Sequence, residues 1–189
     1  MKSTATSPGF NLFRLQLDQL EKMLKKASQS KNPALTLYQT PARQILFYLQ
    51  ALSRIYRKIH NEKRFERLRL TFKSIENQLG KIDYYDAFIK EFSKQKNFPE
   101  TLTNQLKKHY NEELSILNDM LKNDGWLNSK SLKLAEIKED LKTAKWESEL
   151  LDRKSVAKML IKSVNKIKEK YTSGELDFNE IELGVHEFR

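Results

Sequence analysis

The chain has 189 residues and a formal net charge of +10, from 35 Lys and Arg against 25 Asp and Glu. It contains no cysteine, which excludes disulfides, thiolate metal sites and cysteine nucleophiles. Five Gly and four Pro are too few for the turns of a β-rich fold, while 39% hydrophobic and 32% charged residues suit amphipathic helices with wide solvated faces.

Residues Met1 to Pro8 are polar, and the apolar residues from Phe10 to Leu24 are interrupted by Arg14, Asp18 and Glu21. Neither a signal peptide nor a membrane span fits that pattern, so the expected compartment is the cytoplasm. The first predicted helix, over 10–27, places Phe13, Leu17, Leu20 and Leu24 on one face. A polar break from Ser28 to Pro33 follows. Leu35-Thr-Leu-Tyr38 is the one β-like piece, too short to form a sheet. Thr40-Pro41 opens the next helix, with Thr as cap and Pro in the first turn, and its face carries Ile45, Leu49, Leu52, Tyr56 and Ile59. Asn61 breaks or caps before a third segment, where Phe65, Leu68, Phe72, Ile75 and Leu79 have the 3,4,3,4 spacing of an antiparallel seam.

Gly80 interrupts that run before the chain continues toward Phe92, and Asn97 to Pro99 forms a turn. Leu102, Leu106, Tyr110, Leu114, Leu117 and Leu121 mark the next helix, stopped by Asn123-Asp124-Gly125. From Ser131 a helix carries Leu134, Ile137, Leu141 and Ala144 toward Leu151. Val156, Leu160, Val164, Ile167 and Tyr171 continue it or follow a kink near Asp152, and Thr172-Ser173-Gly174 ends it. Phe178, Ile181, Val185 and Phe188 then repeat at 3,4,3. This last face stops at Arg189 without a capping signal, which suggests a longer parent protein. The expectation is an all-α antiparallel helical bundle with long helices and short loops. Its divisions are an N-terminal helix and linker over 1–33, a bundle over 34–174, and the start of a further helix over 175–189.

Catalytic signals are weak. His60, His109 and His186 do not pair at helical spacing, so no helix offers two imidazoles to a metal. The glycines are too scattered for a phosphate-cradling loop. Asp83 with Asp86, and Glu112 with Glu113, suit capping or salt bridging better than catalysis. A di-iron bundle would need a second partner for the Glu182–His186 pair, and none occurs. No catalytic residue, metal site or cofactor is assigned.

Basic residues cluster more clearly. Arg54, Arg57 and Lys58 share a helix end, and Arg64, Arg67 and Lys73 lie on the following helix. Lys154, Lys158, Lys162, Lys166 and Lys170 recur every fourth residue, a row that drifts ~40° per step into a broad stripe. Such a stripe suits phosphate contacts, which position a backbone without reading sequence. The alternative is a solvated lysine-rich face.

The segment Leu79-Gly-Lys-Ile-Asp-Tyr-Tyr-Asp-Ala-Phe88 resembles the CHAD family, the conserved-histidine α-helical domain. Val185-His186-Glu-Phe-Arg189 resembles that family's His-x-x-Arg signature. The resemblance covers residues 40–189 diffusely. It implies two pseudo-symmetric four-helix halves around a basic channel that binds polyphosphate, with this chain holding one half and the start of the second. Only His186 and Arg189 carry over cleanly. Arg43 stands where the first half should have its histidine and Leu46 where it should have arginine, while Asp83 and Tyr84 replace an Arg-Asp pair. The expected function is therefore polyanion binding, with polyphosphate or nucleic acid as partner. The alternative is a helical interaction or scaffold protein.

Overall fold

A computed structural model describes residues 7–95, 98–127 and 132–175. Among these residues it is all-α, with seven helices and no strand. They are α1 (Pro8–Ser28), α2 (Pro33–Tyr38), α3 (Ala42–Ile59), α4 (Glu62–Phe92), α5 (Glu100–Asn123), α6 (Leu132–Lys142) and α7 (Glu149–Thr172). None is long and apolar enough to cross a membrane. The chain divides into two compact units, Gly9–Lys145 and Met1–Pro8 with Trp146–Arg189.

In the Gly9–Lys145 unit, α3 and α4 are joined by only His60 and Asn61, which makes them antiparallel neighbours, and α4 also packs along α5. Phe65, Leu68, Phe72, Ile75 and Leu79 are all buried on α4, opposite Ile45, Leu49 and Tyr56 of α3 and Leu114, Leu117 and Leu121 of α5. Helix α1 adds Phe13, Leu17, Leu20 and Leu24 to the core, and α6 adds Leu134, Ile137 and Leu141. Phe13, Tyr56 and Phe65 form a triangle of rings with centroids 5.7–5.9 Å apart. Outside the apolar layer, Lys138 of α6 donates to Asp18 and Glu21 of α1, at 3.2 and 2.8 Å.

Several boundaries follow the sequence signals. Asn61 caps α4 by accepting the Arg64 N–H at 2.9 Å. Gly125 ends α5 at φ 78°, a left-handed conformation that disfavours a side chain, while the Trp126 N–H closes onto the Leu121 carbonyl. Other boundaries need correction. Thr40 does not cap α3; its hydroxyl donates to the Leu37 carbonyl, and Pro41 holds the cap position without a side-chain bond. The β-like residues Leu35 to Tyr38 are helical, in α2, whose N-terminus is capped by the Asn32 side chain. Gly80 does not break α4, which runs 31 residues through it. The helix from Leu132 ends at Lys142, so α6 and α7 are separate helices rather than one kinked helix.

Gly9 shows where the core tolerates no added atom. A Cβ there would lie 1.9 Å from Tyr56 Oη and 2.1 Å from Cζ. The Tyr56 ring is itself held between Phe13 and Phe65 and cannot swing away. Gly9→Ala is therefore expected to destabilise the protein by about 1–3 kcal/mol, an overpacking cost. In a Tyr56→Leu background, where the side chain is too short to clash, the same substitution should cost much less. Equal losses in the two backgrounds, read from denaturant midpoints, would rule out the Tyr56 contact as the cause.

Candidate functional site

The Gly9–Lys145 unit places much of its charge in internal pairs. Glu66 of α4 accepts a two-pronged contact from Arg69, at 2.6 and 2.9 Å, and a third bond from Arg57 of α3 at 2.6 Å. The Arg69 hydrogen bond is the largest cause, with Arg57 adding to it, that brings the Glu66 carboxyl from its ordinary 4.5 down to about 2. A depressed carboxyl contributes stability above its unfolded pKa and loses it as pH falls toward the folded value. The Glu66 contribution is thus complete above about pH 5 and disappears between about 4.5 and 2. A carboxyl-detected NMR titration should place Glu66 near the bottom of that window, and Arg69→Gln should move it back toward 4.5. An unmoved midpoint in the variant would show that Arg69 does not hold the charge.

A second network joins α2, α3 and α4. The Arg43 guanidinium donates to the buried Glu76 carboxylate at 3.0 Å and to Asp83 at 2.6 Å, and lies over the Phe47 ring. The Tyr38 hydroxyl donates to Asp86 at 2.6 Å, and Lys90 donates to the same carboxylate at 2.6 Å. Burial, reinforced by Asp86, raises the Tyr38 phenol well above its ordinary range. Burial alone would raise Asp86, but its bonds from Lys90 and Tyr38 outweigh that and hold it low. Gly80 lets the guanidinium approach closely, since a Cβ there would sit 3.0 Å from Arg43 Nη2. An open cleft of about 660 Å³ lies beside this network, lined by Arg43, Phe47, Gly80, Lys81, Tyr84 and Glu113 among others. Both of its cations already face carboxylates: Arg43 as above, and Lys81 with Glu113 at 3.7 Å. The cleft therefore offers an anion no unopposed charge.

Asp83 and Asp86 are thus ion-paired, as are Glu112, with Lys108 at 3.8 Å, and Glu113. The His109 ring shares a hydrogen bond with Glu112 at 2.9 Å. His60 accepts the Asn61 N–H on Nδ1 and meets the Lys145 carbonyl with Nε2 at 2.7 Å, an arrangement that assigns the proton to Nε2. Among the described residues no group of three or more His, Cys, Asp or Glu side chains is arranged to hold a metal.

The basic residues singled out from the sequence separate by environment. Arg57 is committed to Glu66, and Arg67 to Asp140 of α6. Arg54, Lys58 and Lys73 are exposed and Arg64 half-buried. Lys73 lies nine residues beyond Arg64, about 14 Å along α4, so these six do not form one compact patch. On α7, in the other unit, Lys154, Lys158, Lys162 and Lys166 are all exposed and Lys170 is half-buried. Among the described residues no carboxylate lies within 4.0 Å of the first four. Arg153 is instead paired with Glu149 at 2.9 Å, and the buried Asp152 accepts from the Ser7 hydroxyl at 2.9 Å. His186 and Arg189 lie outside the described residues.

Sequence reasoning did not find the Arg43–Glu76 pair. Its only local signal was polar residues on otherwise apolar helix faces, and polarity alone does not name a partner 33 positions away. Comparisons with protein-family models, curated proteins and solved structures find no match to this chain.

Proposed function

We propose that this chain is a polyanion-binding helical protein whose contact surface is the lysine row of α7. The observation that carries the reading is the set of exposed ammonium groups at Lys154, Lys158, Lys162 and Lys166, which have no carboxylate partner among the described residues. Twelve residues of helix separate the first from the last, about 18 Å at ~1.5 Å per residue. A small anion would meet one or two of these charges. A polymer with repeated phosphates would meet several and release counterions at each. Lysine makes a flexible point contact with phosphate rather than a fixed fork, which suits a ligand recognised by charge and not by shape. Between Lys154 and Lys166 the helix carries no aromatic side chain for stacking on bases, so the backbone of a phosphate polymer fits better than a base-read sequence. Inorganic polyphosphate is the ligand that the CHAD-like segments favour.

The direct experiment is retention on immobilised long-chain polyphosphate as salt is raised. Retention at about 50 mM salt that falls linearly in log–log form supports the proposal. No retention under those conditions on polyphosphate or nucleic acid overturns it. A second reading, a helical interaction protein, is favoured by the apolar side chains that α7 leaves in solvent: Leu150, Leu151, Leu160, Ile161 and Val164 are 47–62% exposed.

A further inference from the structure

The far end of the α4–α5 hairpin differs from the rest of the Gly9–Lys145 unit. Ile82 and Leu114 are buried, at 0% and 5% exposure, but none of the described residues between them is. Helix length is the cause. Arg43, in the first turn of α3, bonds to Asp83, and Tyr38 of α2 bonds to Asp86 and sets its ring against Tyr110. Past that level α4 continues to Phe92 and α5 begins only at Glu100, so their outer turns pack along each other without α3 beside them. Two helices without a further layer enclose no interior for apolar side chains.

Apolar side chains are nevertheless concentrated there. Tyr84, Phe88, Phe92 and Phe98 form a ladder of rings with successive centroids 4.7, 5.5 and 4.3 Å apart. The last two stack face to face across the connection between the helices. Tyr84 is 58% exposed and Leu102, in the first turn of α5, is 45% exposed, while the three phenylalanines are half-buried. Lysines surround the ladder: Lys90, Lys94, Lys107 and Lys108 are exposed, against Glu91 and Glu100. Lys94 pairs with Glu91, Lys90 with Asp86 and Lys108 with Glu112, but such surface pairs along one helix hold their charges only weakly.

We infer that this hairpin end is a membrane-surface contact that sets its phenylalanines shallowly into an anionic bilayer. The order of the side chains matches the depth of such a contact. Interfacial helices bury their apolar groups ~5–10 Å deep, which from the connecting turn takes in Phe92 and Phe98. Tyr84 stands eight residues behind Phe92, about 12 Å along α4, where a phenol would meet the headgroups. Lysine stems can lie along the acyl boundary while their ammonium groups reach lipid phosphates and carboxylates. The surplus of lysine over glutamate at this end is the complement of an anionic leaflet. A fluid bilayer accepts a projecting end of this kind, whereas a protein partner must present a groove of matching shape.

The test is Phe98→Trp in the full chain, mixed with vesicles of phosphatidylcholine and phosphatidylserine in a two-to-one mole ratio. The lipids carry brominated acyl chains, which quench an indole only where it reaches them, and the wild-type chain corrects for Trp126 and Trp146. The new indole should be quenched, and partition into pure phosphatidylcholine should be weaker by at least about ten-fold. Lys94→Gln with Lys107→Gln should weaken partition to a similar degree, and Phe92→Ser should abolish the quenching. None of these residues is in the core, so circular dichroism should not change. An unquenched indole overturns the inference, even if the protein sediments with the vesicles, and so does partition that both hairpin variants leave unchanged. The triple Gln variant at Lys158, Lys162 and Lys166 should keep the quenching; its loss there would move the lipid contact to α7 and overturn the inference. A lipid-free dimer that Phe92→Ser dissociates assigns the surface to a second copy and also overturns it. Retention on polyphosphate is measured without lipid, so this inference and the proposed function can fail separately.

Discussion

Phe72→Ala is expected to cost about 3–5 kcal/mol of folding free energy, the transfer energy of the ring plus the cavity it leaves. The residue is fully buried on α4, with Leu68 one turn before it and Ile75 and Leu79 after it on the same buried face. Helix α4 packs along both α3 and α5, so a void at its centre weakens two helix interfaces together and is hard to close by a small shift. Leu68→Ala and Leu117→Ala, at 2% and 0% exposure, should lose about 2–5 kcal/mol each for the same reason. Leu70→Ala is the control. That side chain is 51% exposed on the same helix, and its loss should change stability by much less. Urea denaturation midpoints decide the matter, and a Phe72→Ala midpoint equal to that of Leu70→Ala would remove Phe72 from the core.

Replacing Lys158, Lys162 and Lys166 together by Gln should produce the largest functional change. The triple variant removes three exposed charges, and Gln and Lys have nearly equal helix propensity, so α7 remains a helix. Each lost phosphate contact lowers the slope of log K against log salt by about 0.7 for a single strand and about 0.9 for duplex DNA. Three contacts therefore lower it by about 2–3 units, and affinity near 50 mM salt falls by orders of magnitude. Folding stability should hardly change, because exposed lysines contribute little to it. Lys25 and Lys26, also exposed but at the end of α1, supply the comparison: their replacement by Gln should leave most of the slope in place. His186→Ala tests the CHAD-like carry-over separately, since a half-domain site needs the imidazole and a bare lysine row does not. A triple variant with the wild-type slope would mean that the polyanion contacts lie elsewhere.

The sequence by itself determined the helical class and much of the core of the Gly9–Lys145 unit. Apolar residues at 3 and 4 spacing can share a buried face only in a helix, and the α4 set from Phe65 to Leu79 is buried throughout. Asn61, Gly125 and Gly174 marked helix ends because capping and left-handed backbone are local chemistry. Gly80 misled for the complementary reason. A helix-interior glycine costs only about 1 kcal/mol, which the packing on both sides of α4 overrides, and its missing side chain leaves room for the Arg43 guanidinium.

Two matters were left to the tertiary structure. Periodicity shows that a helix has an apolar face but not that anything covers it. Leu114, Leu117 and Leu121 of α5 are buried, whereas Leu102 of the same helix and Leu160 and Val164 of α7 remain exposed despite equally regular spacing. Composition likewise gives a charge of +10 without saying which cations are engaged. The fold brings Glu66 to Arg57 and Asp140 to Arg67, across 9 and 73 positions of chain, and among the described residues brings no carboxylate to Lys154, Lys158, Lys162 or Lys166. Ion pairing depends on distance in space, and for residues on different helices only the packing of those helices sets that distance.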